Sequence, residues 1–279
     1  MPLASLRVLS LGAGVQSSTL LLLSCRGELP RLDAAIFADT QYEPAAVYDH
    51  LAWLEEVARG AGIPVYRVTA GDIRADALRS TMRGRLDEGT RAVAMPFFVA
   101  RKPGAEGSPM MRRQCTREYK LEPIRRKLRA LAGIAPGETV GSRLTVEQWV
   151  GISADELQRI RASRDYWILL RYPLVFDLQP AWRRSDCVAW LRRNYPERRV
   201  PRSACIGCPF HSNAEWRAMR DCDPVSWADA VAFDAAMRKR GGEHGRLYVH
   251  ASLAPLERAP LNDPDPRQGS LFSCGVCDT

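Results

Sequence analysis

Two groups of residues in this chain have types and spacings suited to chemistry, and the first is its eight cysteines: Cys25, Cys115, Cys187, Cys205, Cys208, Cys222, Cys274 and Cys277. Disulfides are not expected in a reducing compartment, so this many thiols points to metal or sulfur chemistry. The sharpest local pattern is Cys205-Ile206-Gly207-Cys208-Pro209. Two thiolates that close, with a glycine between them and a proline after, can curl round one metal centre. A redox dithiol or half of a zinc site would use the same spacing, zinc needing two further ligands. The Cys-Pro ending fits iron–sulfur loops better. Cys115 lies far upstream among Arg112, Arg113, Arg117 and Lys120, cations that favour a thiolate. Cys274 and Cys277 near the carboxyl end offer two more sulfurs. Cys25 and Cys187 read as buried structural thiols, Cys222 as a loop residue, and His211 as structural or supporting rather than a ligand.

The second group is backbone chemistry. The apolar run Leu6 to Leu11 reads as a buried strand; Gly12, Ala13 and Gly14 follow, then Gln16, Ser17, Ser18 and the run Leu20 to Leu23. Strand, glycine turn and hydroxyl-rich helix start form a phosphate cradle: glycines let an anion approach closely, and the helix N-terminus presents free N–H groups. Ser17 or Ser18 is expected to cap that helix. A tight turn with no ligand is the plainer alternative. Neither the lysine-bearing phosphate loop nor Gly-x-Gly-x-x-Gly occurs here.

The elements that must position these groups alternate. After the first strand and a helix to about Gly27 come a strand at Ala34 to Ala38 ending in Asp39-Thr40, a helix with Val47, Leu51 and Leu54 inward, and a strand at Pro64 to Val68. Such alternation predicts an α/β, doubly wound parallel sheet. Asp39 then sits at the carboxyl end of a strand, where it would meet a ribose or a metal, or merely cap the next helix. Residues from about Asp72 to Met111 read as a long basic loop, either a substrate lid or a solvated insertion. A helix with Ile124, Leu128 and Leu131 inward follows, then a helical turn carrying Glu147 and a strand at Trp149 to Ile152. The charged segment after Gly151 holds Asp155, Glu156, Arg159, Arg161 and Arg164, where arginines could neutralise phosphate or simply pair with glutamates. Two packed helices between Asn213 and Arg238 and a short strand at Leu247 to His250 complete the pattern. The expected division is a nucleotide-binding domain over 1–200 and a helical, cysteine-bearing extension over 201–279.

The stretch Ser10-x-Gly12-Ala13-Gly14-Val15-Gln16-Ser17-Ser18-Thr19 resembles the PP-loop of the adenine-nucleotide alpha-hydrolase superfamily, with Gln16 where an aspartate is usual. Gly151-Ile152-Ser153-Ala154-Asp155-Glu156, Tyr172-Pro173-Leu174 and Trp182 through Trp190 are similar to the phosphosulfate reductase branch of that group. A single cysteine followed far downstream by Cys-x-x-Cys resembles the iron–sulfur pattern of adenylylsulfate reductases and of DNA phosphorothioation ATP-pyrophosphatases. The resemblance implies a Rossmann-like PP-loop fold that binds ATP and Mg²⁺ through Ser10, Gly12, Ala13, Gly14, Gln16, Ser17, Ser18, Asp39, Gly151 and Arg159. It implies a [4Fe–4S] cluster on Cys115, Cys205, Cys208 and Cys274, with Cys277, Asp155 and Arg164 in catalytic roles, Cys277 as a mobile sulfur carrier. A cluster held by three cysteines with an open iron is the variant. The implied activity is ATP-dependent sulfur transfer to a nucleic acid or nucleobase, with a sulfur donor such as a cysteine desulfurase. The alternatives are an adenylylsulfate or phosphoadenylylsulfate reductase, and a zinc-stabilised nucleic-acid-binding protein with a degenerate loop.

Composition bounds these readings. The chain has 279 residues, 46% hydrophobic and 26% charged, which suits a globular domain with an appendage. A net charge of +8 suits a polyanionic partner, or simply a basic enzyme. No apolar run is long enough to span a membrane and no signal segment is visible, so the expectation is a cytoplasmic protein, with a homodimer compatible.

Overall fold

The computed structural model describes residues 6–79, 94–100, 110–140, 146–240 and 246–263. The chain divides into two compact units. The first comprises Met1–Asp39, Ala45–Ala70 and Tyr119–Ser203; the second comprises Thr40–Pro44, Gly71–Glu118 and Ala204–Thr279. Segments 40–44 and 71–118 belong to the second unit by spatial contact, so the two units do not follow a single cut in chain order.

The first unit is a five-stranded, all-parallel sheet in the order β3-β2-β1-β5-β6, built from β1 (Leu6–Leu11), β2 (Ala34–Asp39), β3 (Val65–Thr69), β5 (Val146–Val150) and β6 (Ile168–Arg171). Helices α1 (Val15–Cys25), α2 (Ala45–Gly60) and α6 (Arg184–Asn194) share one apolar cluster, and α4 (Glu122–Leu131) packs on β2 and β3 through another. The short α5 (Pro173–Phe176) carries Leu174 into the first cluster. Alternation along the strands feeds both layers: Leu9, Leu11, Ala35, Phe37 and Trp149 face one, Val8, Ala34, Ile36, Ala38 and Val146 the other. Helices on both faces of a parallel sheet make this a doubly wound α/β unit. Leu20 to Leu23 are buried all round the helix, because α1 is covered by β1, α2 and α6 at once.

The strands and helices of the first unit stand close to where the sequence places them, with a correction at β5. Glu147 lies inside β5, not in a helical turn before it. Val146, Gln148 and Trp149 are buried, and the Glu147 carboxylate is held by Arg7 Nε at 3.1 Å and Trp149 Nε1 at 2.6 Å, so the strand tolerates it.

The second unit contains α3 (Ile73–Arg79), β4 (Phe98–Ala100), α7 (Asn213–Cys222), α8 (Pro224–Arg240) and β7 (Arg246–Tyr248), with β4 and β7 antiparallel. Cys222 ends α7 as an exposed residue and is not in a loop. At the centre of this unit the fully buried Asp234 on α8 accepts from the N–H groups of Val249 and Leu256 and pairs with Arg238 at 2.8 Å. One carboxylate thereby ties two chain positions beyond the helix, Val249 and Leu256, to α8. Helix α3 and strand β4 fall within the stretch from about Asp72 to Met111 expected to be a long basic loop, so that expectation is corrected there: Ile73 and Ala77 are buried and β4 is paired with β7. Of its basic residues, Arg83, Arg85, Arg91, Arg101 and Lys102 lie outside the described residues. No helix among the described residues is long and apolar enough to cross a membrane.

Candidate functional site

In the first unit the strand order reverses beside β1: the chain steps from β1 to β2 and β3 on one side, and later to β5 and β6 on the other. The carboxyl ends of β1 and β5 therefore flank a crevice of the kind in which α/β sheets bind ligands. Both chemistry-bearing segments of this unit leave the sheet there. Gly12–Gly14 follow β1, and Gly151–Arg159 follow β5.

The turn itself is built locally. Gly14 is the N-cap of α1 and no side chain caps the helix, so the expectation that Ser17 or Ser18 would do so is corrected: the helix begins before them. Ser17 Oγ accepts from Gly12 N–H at 3.1 Å and donates to the Gly14 carbonyl at 3.3 Å, closing the turn from inside the first helical turn. Ser18 is fully buried and pairs with His50 Nε2 on α2 at 2.9 Å. Burial holds His50 down to about pKa 4, with the nearby Arg198 charge as a second cause. Ala13 carries a positive φ of 54°, an unusual conformation for a residue with a side chain.

Why positions 12 and 14 are glycine is informative. Neither has a positive φ. A Cβ would meet its nearest atoms at 3.7 Å for Gly12 and 3.5 Å for Gly14, ordinary contact distances. Protein packing and backbone geometry thus leave room for alanine at both. Gly151 is different: a Cβ there would lie 2.9 Å from Ser17 N, so the end of β5 is pressed against the start of α1.

That pressure brings the second segment to the first. Gln16 Nε2 donates to Ser153 Oγ at 3.3 Å and to Glu156 Oε2 at 3.1 Å, and Glu156 also pairs with Arg159. Asp155 accepts from Arg184 N–H at 3.1 Å, at the start of α6. Burial pushes its carboxyl up, but hydrogen bonds from Ser153 and Arg184 outweigh that and leave it below the usual range. Arg164 is exposed. Ser10 Oγ accepts from Gln148 Nε2 at 2.7 Å, and Asp39 Oδ1 accepts from Tyr48 Oη at 2.8 Å. Gly12, Gly14, Gln16, Ser17, Gly151, Ser153, Asp155, Glu156 and Arg159 are thus brought into one network or contact, while Ser10, Ser18 and Asp39 are each engaged elsewhere in the unit. Sequence reading singled out neither Ser153 nor Glu156 as a site residue; their place one turn after a buried strand next to Gly151 was the available signal.

The second unit holds the cysteine turn. Cys208 N–H donates to the Cys205 carbonyl at 3.0 Å and His211 N–H to the Cys208 carbonyl at 3.1 Å, so Cys205 to His211 is a run of tight turns. Gly207 is demanded by packing: a Cβ would lie 2.6 Å from Phe233 and 3.1 Å from Tyr42. Those two rings meet edge-on at 5.5 Å, and Arg74 lies 5.9 Å over each while pairing with Asp229 at 2.8 Å. Burial, with Asp229 next, raises the Tyr42 hydroxyl far above its ordinary range. Cys205 is buried, with Sγ 3.2 Å from Thr40 Oγ1 and 3.8 Å from Glu43 Oε1. His211 is buried beside Trp216 and its Nε2 lies 3.0 Å from the Cys205 carbonyl, which places it under the turn in a supporting position.

Cys208 and Cys115 are both half-buried in this unit, and Cys115 N–H is tied to the Ala94 carbonyl at 2.9 Å. Two thiols on one rigid turn suit a thiolate-bound metal as two of its ligands. Among the described residues no three His, Cys, Asp or Glu side chains form a metal-holding group. Cys274 and Cys277 lie outside the described residues. Burial raises Cys25 to about pKa 11 and Cys187 to about 12, in keeping with unreactive structural thiols. The chain matches no protein-family model, and a search of curated proteins gives no match.

Proposed function

We propose that this chain is an ATP-dependent sulfurtransferase that adenylates its acceptor, a nucleic acid or nucleobase. The observation that carries the reading is the pair Gly12 and Gly14, which stand where the strand order reverses and which neither packing nor φ requires. Glycine in such a place is best accounted for by a group outside the protein that must come close to the backbone. The uncapped N–H groups at the start of α1 suit a phosphate.

In the proposed step an oxygen of the acceptor attacks the α-phosphorus of ATP. The new P–O bond forms as the bond to the β-phosphate oxygen breaks, and pyrophosphate leaves. The α1 N-terminus holds the phosphates, and Arg159 and Arg164 offset charge on the leaving group. Gln16, fixed by Ser153 and Glu156, orients the turn. Asp39, at the carboxyl end of β2, would help hold Mg²⁺, which offsets phosphate charge. Cys115, Cys205, Cys208 and Cys274 would hold an iron–sulfur cluster, whose chemistry when bound is supply of sulfide. Hydrosulfide would then bond to the activated atom of the acceptor as that atom's bond to the AMP oxygen breaks, and AMP leaves.

Anaerobic purification with iron and sulfide counts, followed by an assay for AMP and pyrophosphate from ATP with added tRNA or DNA, tests this. Iron and acid-labile sulfide lost in Cys205→Ala, with AMP formed only when acceptor is present, is the expected result. A colourless zinc protein that leaves ATP intact would overturn it, and reduction of adenylylsulfate without ATP would move the assignment to a sulfonucleotide reductase.

A further inference from the structure

We infer that the α6 side of the first unit is a nucleic-acid docking surface, formed by Arg192, Arg193, Arg198 and Arg199 together with a row of aromatic rings, one of which Arg198 covers. The inference deepens the reading above by giving its acceptor a binding surface, and rests on that reading only for the link to catalysis. Between residues 183 and 202 the chain carries seven arginines, Arg183, Arg184, Arg192, Arg193, Arg198, Arg199 and Arg202, against two acids, Asp186 and Glu197. Asp186 is used locally, accepting from the Arg183 N–H at the start of α6. Arg192, Arg193, Arg198 and Arg199 are exposed, and among the described residues no carboxylate pairs with any of them. Other arginines of this unit, Arg7, Arg67, Arg125, Arg159 and Arg171, each have a carboxylate partner. Exposed and unneutralised arginines in one stretch create a local field that attracts phosphodiesters, and each forked guanidinium can grip a phosphate by two donors.

A second observation comes from the rings beneath. Trp53 on α2, Tyr195 after α6, and Trp190 and Trp182 form a connected row, with centroids 5.2, 5.9 and 6.5 Å apart in turn. Arg198 lies 5.0 Å over Trp53 and Arg26 5.7 Å over Trp190. Trp53, Tyr195 and Trp182 are only half-buried. Arg198, with no carboxylate partner among the described residues and set over the half-buried Trp53 indole beside Tyr195, offers both phosphate binding and stacking for unpaired bases, a combination that an acidic polypeptide would not use. The chain then runs from α6 through Arg198, Arg199 and Arg202 to Ser203, whose side chain lies 3.5 Å from where a Cβ on Gly14 would be. The surface therefore leads along the chain to the glycine turn.

The test is fluorescence-anisotropy binding of the purified full chain to single-stranded RNA, single-stranded DNA and duplex DNA of equal length across a salt series, without ATP. Arg192→Ala/Arg193→Ala and Arg198→Ala/Arg199→Ala, and the four together, are compared with the wild type. Arg59→Ala/Arg126→Ala, which removes two exposed charges elsewhere in the unit, is the control, and circular dichroism verifies folding. The four-fold variant is expected to bind at least about tenfold more weakly, with a salt slope shallower by about 3. Four arginine-to-lysine changes should restore most of the slope. Preference for single strands would assign the aromatic row to bases, and equal binding of duplex would assign the surface to the phosphate backbone alone. Absence of binding, an equal loss in the control, or equal competition by polyglutamate would overturn the inference. Binding lost in these variants while the protein fails to cleave ATP would leave the surface standing and remove the proposed catalysis. The reverse result would remove the surface and leave a small-molecule acceptor.

Discussion

The glycine turn of the first unit and the cysteine turn of the second both depend on glycine, for opposite reasons. At Gly12 the nearest atom to an added Cβ is 3.7 Å away, whereas at Gly207 it is 2.6 Å away, on the buried ring of Phe233. One glycine leaves space unfilled by the protein; the other is needed because the protein fills all of it. The first turn is organised by main-chain groups and one hydroxyl, Ser17. The second is organised by side chains: Phe233 and Tyr42 below, and Thr40 and Glu43 beside Cys205. The lesson is that a glycine's role is read from what surrounds the missing methyl, and not from its presence in a motif.

The comparison can be broken at several points. If side chains hold the second unit together, Asp234→Ala should do the most damage, because it leaves Arg238 and the N–H groups of Val249 and Leu256 without their shared acceptor. A loss of about 3–5 kcal/mol is expected by urea unfolding, and a loss under 1 kcal/mol would show that the unit does not depend on this clasp.

His50 tests the first unit through pH. Its folded pKa of about 4 lies below the ordinary 6.5, so the unfolded chain binds the proton more readily. Stability is therefore lost as pH falls from about 6.5 through 4, by up to about 3 kcal/mol. His50→Gln, which keeps a hydrogen-bonding partner for Ser18, should flatten that part of the stability–pH curve; an unchanged curve would remove His50 as its source.

Gly207→Ala should cost about 1–3 kcal/mol through overpacking against Phe233, read as a lower unfolding midpoint. Gly12→Ala should change stability least, within about 0.5 kcal/mol, and yet weaken ATP binding about tenfold or more in calorimetry. Equal effects of these two substitutions on stability would erase the contrast between the turns, and undiminished ATP affinity in Gly12→Ala would leave the glycine at that turn without a ligand to account for it.

Much of the first unit was legible because its elements obey simple periodicities. Val8, Ile36 and Val146 alternate with Leu9, Phe37 and Trp149 between two helical layers, and the sheet follows from that pattern. Glu147 is expected from sequence in a helical turn; what lets a strand hold this charge, Arg7 and the Trp149 indole, is supplied by the structure alone. The helix start was misjudged because hydroxyl residues commonly cap, while here Ser17 bonds back into the turn from within the helix. At the site, the glycines and cysteines were visible as residue types, but Ser153 and Glu156 gained significance only from the close approach of Gly151 to Ser17. The neighbours of Cys205 were invisible for a different reason. Thr40 and Glu43 lie far from it in sequence and reach it by tertiary folding alone.

The pairing of β4 with β7 has a consequence for how the chain is made. Phe98 meets Tyr248 across this ladder, so a strand synthesised early must wait for one synthesised late, whereas β1, β2 and β3 can associate as soon as they leave the ribosome. During that interval Met95, Phe97 and Phe98, all buried in the finished protein, have no completed unit to enter. Translation that stalls between the two strands would present this apolar segment to chaperones and proteases.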